Sequence, residues 1–259
     1  MATDHAELST TAAKALRVLE AVAASTQPIT LADVAEQVGL DRSTAYRMLS
    51  TLVGTGYLLR DTATKRYTLS FKLIALSRNL LAENEATRAS RQVLEELTAA
   101  TGESAYLNVL DGYQTLVIQK VKGTQLVSVD FDIGDRSELH CTSIGKALAA
   151  FQEPTFVQAV IAAGLPSRAR NTITDPDVFR EELRRVRTQG YAIDDHEFED
   201  TMRCIAAPVF EQGNRVRMGI SISGPDSRFS LAHLKRLRTP LLRAAGMLSE
   251  RLGGMALGG

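Results

Sequence analysis

Three amphipathic helical segments and a short hairpin, packed into residues 10 to 70, leave few folds open to the start of this chain. The apolar positions Ala15, Leu16, Leu19, Val22 and Ala23 recur at helical spacing until Ser25-Thr26-Gln27-Pro28, which stops the first segment. Thr30 stands where an N-cap belongs, with Asp33 three residues on and Gly39 after Val38, so a second helix is expected over Leu31 to Val38. Asp41 then caps a third, whose Ala45, Met48, Leu49, Leu52 and Val53 share one face until Gly54 and Gly56 end it. Tyr57 to Arg60 and Arg66 to Leu69 read as strands around Asp61-Thr62-Ala63-Thr64-Lys65. This order is a winged helix-turn-helix.

A helix that reads DNA buries one face and offers hydrogen-bonding and cationic side chains on the other. At about 100° per residue, Ser43, Arg47 and Ser50 fall opposite the apolar face, with Thr44 and Tyr46 beside them. Arg47 is the candidate guanine contact. Arg42 sits at the helix start, where free N–H groups and the helix dipole favour a phosphate. Arg60, Lys65 and Arg66 gather positive charge in the hairpin, suited to the adjoining backbone or minor groove. The competing reading is a set of solvated charges on an ordinary three-helix domain. The combination of cap, turn, apolar stripe and basic hairpin favours double-stranded DNA as the partner.

The whole chain of 259 residues carries 30 Lys and Arg against 30 Asp and Glu, so its positive charge has to be arranged locally. It contains no run of eighteen uncharged apolar residues and no signal-like start, which predicts a cytoplasmic protein with no membrane partner. Cys141 and Cys204 lack the paired spacing of a zinc or redox motif. The expected division is a disordered tail over 1–9, the DNA-binding domain over 10–70, a connecting helix over 71–86 and a second domain over 87–259. Leu73, Ile74, Leu76 and Leu80 of the connecting helix suit either a contact between partners or packing on its own domain.

In the second half, helices are expected near Arg88 to Thr101, Ser143 to Phe151, Pro154 to Ala163, Asp177 to Gln189 and Ser230 to Arg251. Strands are expected at Ala105 to Leu110, Leu116 to Val121, Leu126 to Phe131, Ile205 to Phe210 and Arg217 to Ser223. This interleaving is α+β.

The string ITLADVAEQVGLDRSTAYRMLSTLVGTGYLLRD, followed by RYTLSFKLIALS, resembles the DNA-binding half of the IclR family of bacterial regulators. The segments TGESAYLNVLDG, LHCTSIGKALAAF, GYAIDDHEFEDTMRCIAAPVF and ISISGP follow in the order and spacing of that family's effector-binding half, so the resemblance runs from about Thr10 to Arg251. It implies an N-terminal all-α winged helix-turn-helix with a β-hairpin wing, a connecting helix, and a C-terminal α+β, GAF-like effector-binding domain. It also implies a homodimer or homotetramer on a near-palindromic operator, with no cofactor and no catalytic residue. By motif, Thr142, Ser143, Asp194, Cys204, Ser221 and Ser223 correspond to the effector contacts, with backbone N–H groups near Ser143 to Gly145 able to hold an anion. The implied ligand is a small polar metabolite, a carboxylate among the candidates. The chain departs from the family pattern at Cys141 and Ser143, where alanine is common, and at Thr201, where glycine is usual.

Asp194 sets a chemical condition on that site. An ionised aspartate repels a carboxylate unless it is protonated, paired with a cation such as Lys146 or Arg203, or bonded to a ligand hydroxyl. Other readings remain open from residues alone. Cys204 and the serines suit an ordinary core. His140, Cys141, Asp194, His196 and Cys204 are all metal-ligand types, and Cys141 or Cys204 beside His140 or His196 has the makings of a thiol sensor or thiol enzyme.

Overall fold

The computed structural model describes residues 9–81 and 85–255, so the tail expected over 1–9, Ser9 apart, and most of the Glu83-Asn84-Glu85 junction lie outside the described residues. The chain divides into two compact units, Met1–Ala82 and Glu83–Gly259.

In the first unit, α1 (Thr10–Ala24) is followed by α2 (Leu31–Val38) and α3 (Arg42–Gly54). Each begins on the cap its sequence supplies. Thr30 and Asp33 form a reciprocal capping box at α2, which ends on left-handed Gly39 at φ 64°. The Asp41 carboxylate accepts the Ser43 hydroxyl at 2.7 Å and the Thr44 N–H at 2.9 Å, and these bonds hold its pKa well below the usual carboxylate range. The antiparallel hairpin β1 (Leu58–Arg60) and β2 (Tyr67–Leu69) turns on Asp61, which accepts the N–H groups of Ala63 and Thr64 at 2.9 and 2.6 Å. Val18, Val34, Leu49, Leu58 and Tyr67 close the core at 2% exposure or less. Each such side chain contributes about 1.5–3 kcal/mol through burial, so the helical stripe read from sequence is what holds the three helices and the wing together.

The helix α4 spans Lys72–Leu81. Within the single chain, Phe71, Ile74 and Leu76 are 83%, 62% and 54% exposed. Packing on the parent domain therefore does not account for Ile74 or Leu76.

The second unit runs α5 (Glu85–Thr101), β3 (Ser104–Asp111), β4 (Gln114–Val121), β5 (Arg136–Glu138), α6 (Ser143–Ala149), α7 (Pro154–Ala163), α8 (Pro176–Gln189), β6 (Ala192–Asp195), β7 (Met202–Glu211), β8 (Arg215–Pro225) and α9 (Leu231–Arg251). The sheet is antiparallel, in the order β5-β4-β3-β8-β7-β6. Leu107, Ile205, Ile220 and Ile222 pack on one face against Leu94, Leu97, Leu234 and Leu241 of α5 and α9. On the other face α6, α7 and α8 form a second core with Ala206, Phe210 and Val216. Strand alternation explains the split: between Ile220 and Ile222, and beside them, Ser221 and Ser223 must face the other side.

The strand expected at Leu126 to Phe131 does not form. Its backbone is held by side chains: the Tyr106 hydroxyl donates to the Val129 carbonyl at 2.7 Å and accepts the Phe131 N–H at 3.4 Å. Lys120 Nζ meets Asp130 and Asp132 at 3.1 and 2.5 Å. Apolar alternation there signalled a strand, but Leu126 and Val127 are exposed and the sheet edge is taken by β5. The short, polar strands β5 and β6 carry no such signal and went unpredicted.

Candidate functional site

The outer face of α3 presents Arg42, Ser43, Tyr46, Arg47 and Ser50 as exposed side chains, with Thr44 half-buried. The Ser43 hydroxyl donates to the Asp41 cap at 2.7 Å, so it stiffens the helix start and its hydrogen is engaged. In the wing, Arg60, Lys65 and Arg66 are exposed. Lys65 holds the turn at φ 60°, the Arg60 guanidinium lies 5.7 Å from the Tyr67 ring centre, and Arg66 donates to the Pro28 carbonyl at 2.7 Å. Arg66 thus ties the wing to the loop before α2. Asp41 and Asp61, the acids beside these cations, are turned into the backbone as caps, so positive charge is left outward in a chain of zero net charge.

In the second unit, the sheet register builds a polar row. Asp194 lies opposite Cys204, Cys204 opposite Ser223, and one step along Ser221 lies opposite Tyr106. These residues, with Thr142, Ser143 and Asn108, line one cavity walled by Phe131, Phe198 and Met202 and rimmed by Arg136. All six residues that the resemblance nominated therefore come together. The room left for a water-sized sphere is about 40 Å³, space for about three waters, so a ligand of more than a few heavy atoms requires the aromatic wall to move.

Three buried polar atoms on residues that line this cavity have no hydrogen-bond partner: Asn108 Oδ1, Ser143 Oγ and Asp194 Oδ2. Buried polar atoms are rarely left so, and three on the residues of one cavity are open to bonds from a water or a small polar molecule. Thr142 differs. Its hydroxyl donates to the Glu138 carbonyl at 2.8 Å and accepts the Gly145 N–H at 3.1 Å, so it caps α6, and of the N–H groups expected to hold an anion that of Gly145 is taken. A Cβ on Gly145 would lie 2.5 Å from Leu139 Cα and 2.7 Å from the Glu138 carbonyl oxygen. Gly145→Ala is expected to lose about 1–3 kcal/mol by overpacking, measured by urea unfolding; an unshifted midpoint would show that the backbone gives way freely.

Asp194 is fully buried. Its Oδ1 accepts the N–H groups of Glu197 and Phe198 at 2.8 and 3.3 Å, yet burial pushes the carboxyl up to about 7. Neither candidate cation reaches it. Arg203 binds Asp195 at 2.6 Å, and Lys146, 1% exposed, sits between Glu182 and Glu197 at 3.1 and 2.5 Å. Arg185 holds the other oxygen of Glu182.

The thiol and metal readings find no geometry. Burial pushes the Cys141 thiol up to about 12 and raises Cys204 well above its ordinary value, so neither is placed to be a thiolate. His140 faces the Pro166 carbonyl at 2.9 Å and His196 the Asp200 carbonyl at 2.8 Å. Among the described residues no group of three or more His, Cys, Asp or Glu is placed to hold a metal ion, and no helix is long and apolar enough to cross a membrane. Sequence reasoning missed Tyr106, Asn108, Phe131, Arg136 and Phe198. Only Asn108, a lone polar residue within AYLNVL, carried a signal.

A winged helix-turn-helix and an α+β unit enclosing a polar cavity, on one chain, define a DNA-binding regulator of transcription. Residues 11–62 match the IclR helix-turn-helix domain, and residues 78–250 match the bacterial transcriptional regulator IclR C-terminal domain. The chain belongs to the IclR family. It is 32% identical over 237 residues to the HTH-type transcriptional regulator BhcR of Paracoccus denitrificans, covering 91% of this chain and 85% of that one. A putative IclR transcriptional regulator from Silicibacter sp. TM1040 shares the fold with a TM-score of 0.81 at 30% identity, over 95% of this chain and 98% of that one. An IclR homologue of Microbacterium hydrocarbonoxydans, solved with 4-hydroxybenzoate, has a TM-score of 0.81 at 23% identity, over 94% and 99% of the two chains. At that identity the likeness concerns the fold.

Proposed function

We propose that this protein is a cytoplasmic, non-enzymatic regulator whose α3 and wing bind a near-palindromic operator, and whose second unit binds a small polar effector that shifts operator affinity. The DNA contacts are assigned to Arg42, Ser43, Thr44, Tyr46, Arg47 and Ser50 of α3 and to Arg60, Lys65 and Arg66 of the wing. Arg47 specifies and Arg42 positions. Phe71, Ile74 and Leu76, exposed in the single chain, support assembly as a homodimer or homotetramer, which would present two α3 helices to successive major grooves.

The effector reading is carried by the three orphaned polar atoms on one cavity. Ser143, Asp194, Cys204, Ser221 and Ser223 are assigned to the ligand, and Thr142 to holding α6 in place. A ligand changes operator affinity only if it binds the DNA-competent and incompetent arrangements unequally, and the coupling is reciprocal. The buried, protonated thiols weigh against nucleophilic chemistry in the same unit.

Two sets of measurements test this, one for the DNA contacts and one for the cavity. Genomic capture of bound DNA should enrich discrete sites, and Arg47→Ala should weaken binding by about 1–3 kcal/mol with relaxed preference at one base position. Equal loss on every sequence would demote Arg47 to a phosphate contact, and no enrichment at all would sink the DNA reading. For the cavity, a metabolite panel that includes 4-hydroxybenzoate should contain a compound that raises the melting temperature of the wild type and changes operator affinity. Ser221→Phe, which fills the cavity, should lose both responses. A response surviving in that variant would place the effector elsewhere.

A further inference from the structure

We propose that Asp194 faces the cavity as a neutral carboxylic acid and donates its proton in a hydrogen bond to a small carboxylate, so that this site binds a monoanion and loses it as pH rises. The inference rests on reading the cavity as the effector site and adds the protonation state of Asp194 and the proton linkage of that site.

Charge counting beneath the cavity comes first. Asp194, Glu182 and Glu197 are 0%, 6% and 7% exposed; the buried ammonium of Lys146 binds Glu182 and Glu197 and acts on Asp194 only through its longer-range field, which favours the ionised form. Arg185 adds a second cation at the surface, through Glu182 alone. Two cations against three carboxyls leave one negative charge without a partner in a low-dielectric interior, and an uncompensated buried charge is relieved by taking a proton. Glu182 and Glu197 both touch Lys146. Burial raises Glu197 too, but Lys146 binds it directly, whereas among the described residues Asp194 has no ion-pair partner, so the proton settles on Asp194.

The other elements around Asp194 do not alter the count. On its own hairpin, Asp195 is matched by Arg203, and His196 turns Nδ1 to the Asp200 carbonyl. Asp194 lies opposite Cys204 of β7, and its charge acts on Cys141 in the turn before α6; burial keeps both thiols protonated. At the cavity rim, Arg136 is paired with Asp111. Burial, the largest influence on Asp194, acts in the same direction and outweighs the backbone N–H groups on Oδ1.

Geometry then fixes the use of the proton. Oδ1 is occupied by two N–H donors, leaving Oδ2, buried and unpartnered on a residue that lines the cavity, to carry it. An O–H there, with the unpartnered Ser143 hydroxyl, gives donors to an oxygen acceptor; an ionised Asp194 would repel one. An acid and a carboxylate sharing a proton form a short, charge-assisted hydrogen bond. The space of about 40 Å³ suits a carboxylate of a few heavy atoms. Above neutral pH the free site has lost its proton, so binding must take one up, and affinity falls about tenfold per pH unit.

The test uses the full chain and acetate as the probe. In the ligand-free protein labelled with ¹³C at aspartate carboxyls, one resonance should titrate with a midpoint near neutral pH and be missing from Asp194→Asn. By calorimetry, acetate should bind about fivefold more weakly at pH 8 than at pH 7, with uptake of about one proton at pH 8, while Asp194→Asn binds it without pH dependence. An Asp194 midpoint in the ordinary carboxylate range, affinity that is flat or rises with pH, or no saturable acetate binding at pH 6 would each overturn the proposal. If Ser221→Phe still abolishes effector response under any of those results, the cavity remains the effector site and only its proton linkage fails.

Discussion

Lys146→Met is expected to destabilise the second unit by about 3–5 kcal/mol, the cost of removing one partner from a buried charge cluster. Methionine fills much of the same volume, so packing changes little. What is lost is the ammonium that Glu197 and Glu182 hold at 2.5 and 3.1 Å behind 99% burial. Glu182 retains Arg185, so the larger penalty falls on Glu197, whose carboxyl burial already raises. Because the same glutamate fixes Asp194 through its backbone N–H, the site should loosen with the cluster. Urea unfolding of Lys146→Met, and of the double variant Lys146→Met/Glu197→Gln, measures this. The double variant should recover part of the loss, since the two changes share one interaction. A loss below about 1 kcal/mol would mean that the carboxyls simply take up protons.

The second large effect depends on pH. Asp194 rises from an unfolded value of 3.8 to about 7 in the folded chain. Below the unfolded value both states hold the proton, and the group makes no difference. From about pH 4 to 7 the unfolded chain releases a proton that the folded chain keeps, so stability falls as pH rises and levels off above about 7. At about 1.4 kcal/mol per unit the total reaches on the order of 4 kcal/mol. Asparagine keeps the acceptor for the Glu197 N–H and cannot ionise. Asp194→Asn is therefore expected to be more stable than wild type by up to about 4 kcal/mol at pH 8, with the gap closing near pH 4. Denaturant midpoints at the two pH values decide it, and a gap independent of pH would refute the burial argument. A group that costs stability at neutral pH and still lines a cavity is a mark of function over stability.

Much of this was legible in the chain. The caps at Thr30 and Asp41, the Gly39 stop and the stripe through Ala45, Leu49 and Leu52 act within a few residues of each other, so the helix-turn-helix follows from local rules. Most elements of the second unit were found the same way. Leu126 to Phe131 failed because alternation says that a segment can ladder, and whether an edge is free to receive it is a property of the sheet. The short strands Arg136–Glu138 and Ala192–Asp195 failed in the opposite sense, because the neighbouring strand makes them.

The site divides along the same line. Motif resemblance brought six residues forward, but it could not separate Thr142, whose hydroxyl caps a helix, from Ser143, whose hydroxyl is unpartnered on the cavity. Nor could it choose among the three states open to Asp194. Sequence by itself determined the reading head, the two-part order and the family, because periodicity, caps and motifs are written in neighbouring residues. Only the tertiary structure decided the environment of Asp194: Lys146, Glu182 and Glu197 lie up to 51 residues apart, and the field on a buried carboxyl depends on distance in space and exclusion of water, which chain order does not encode.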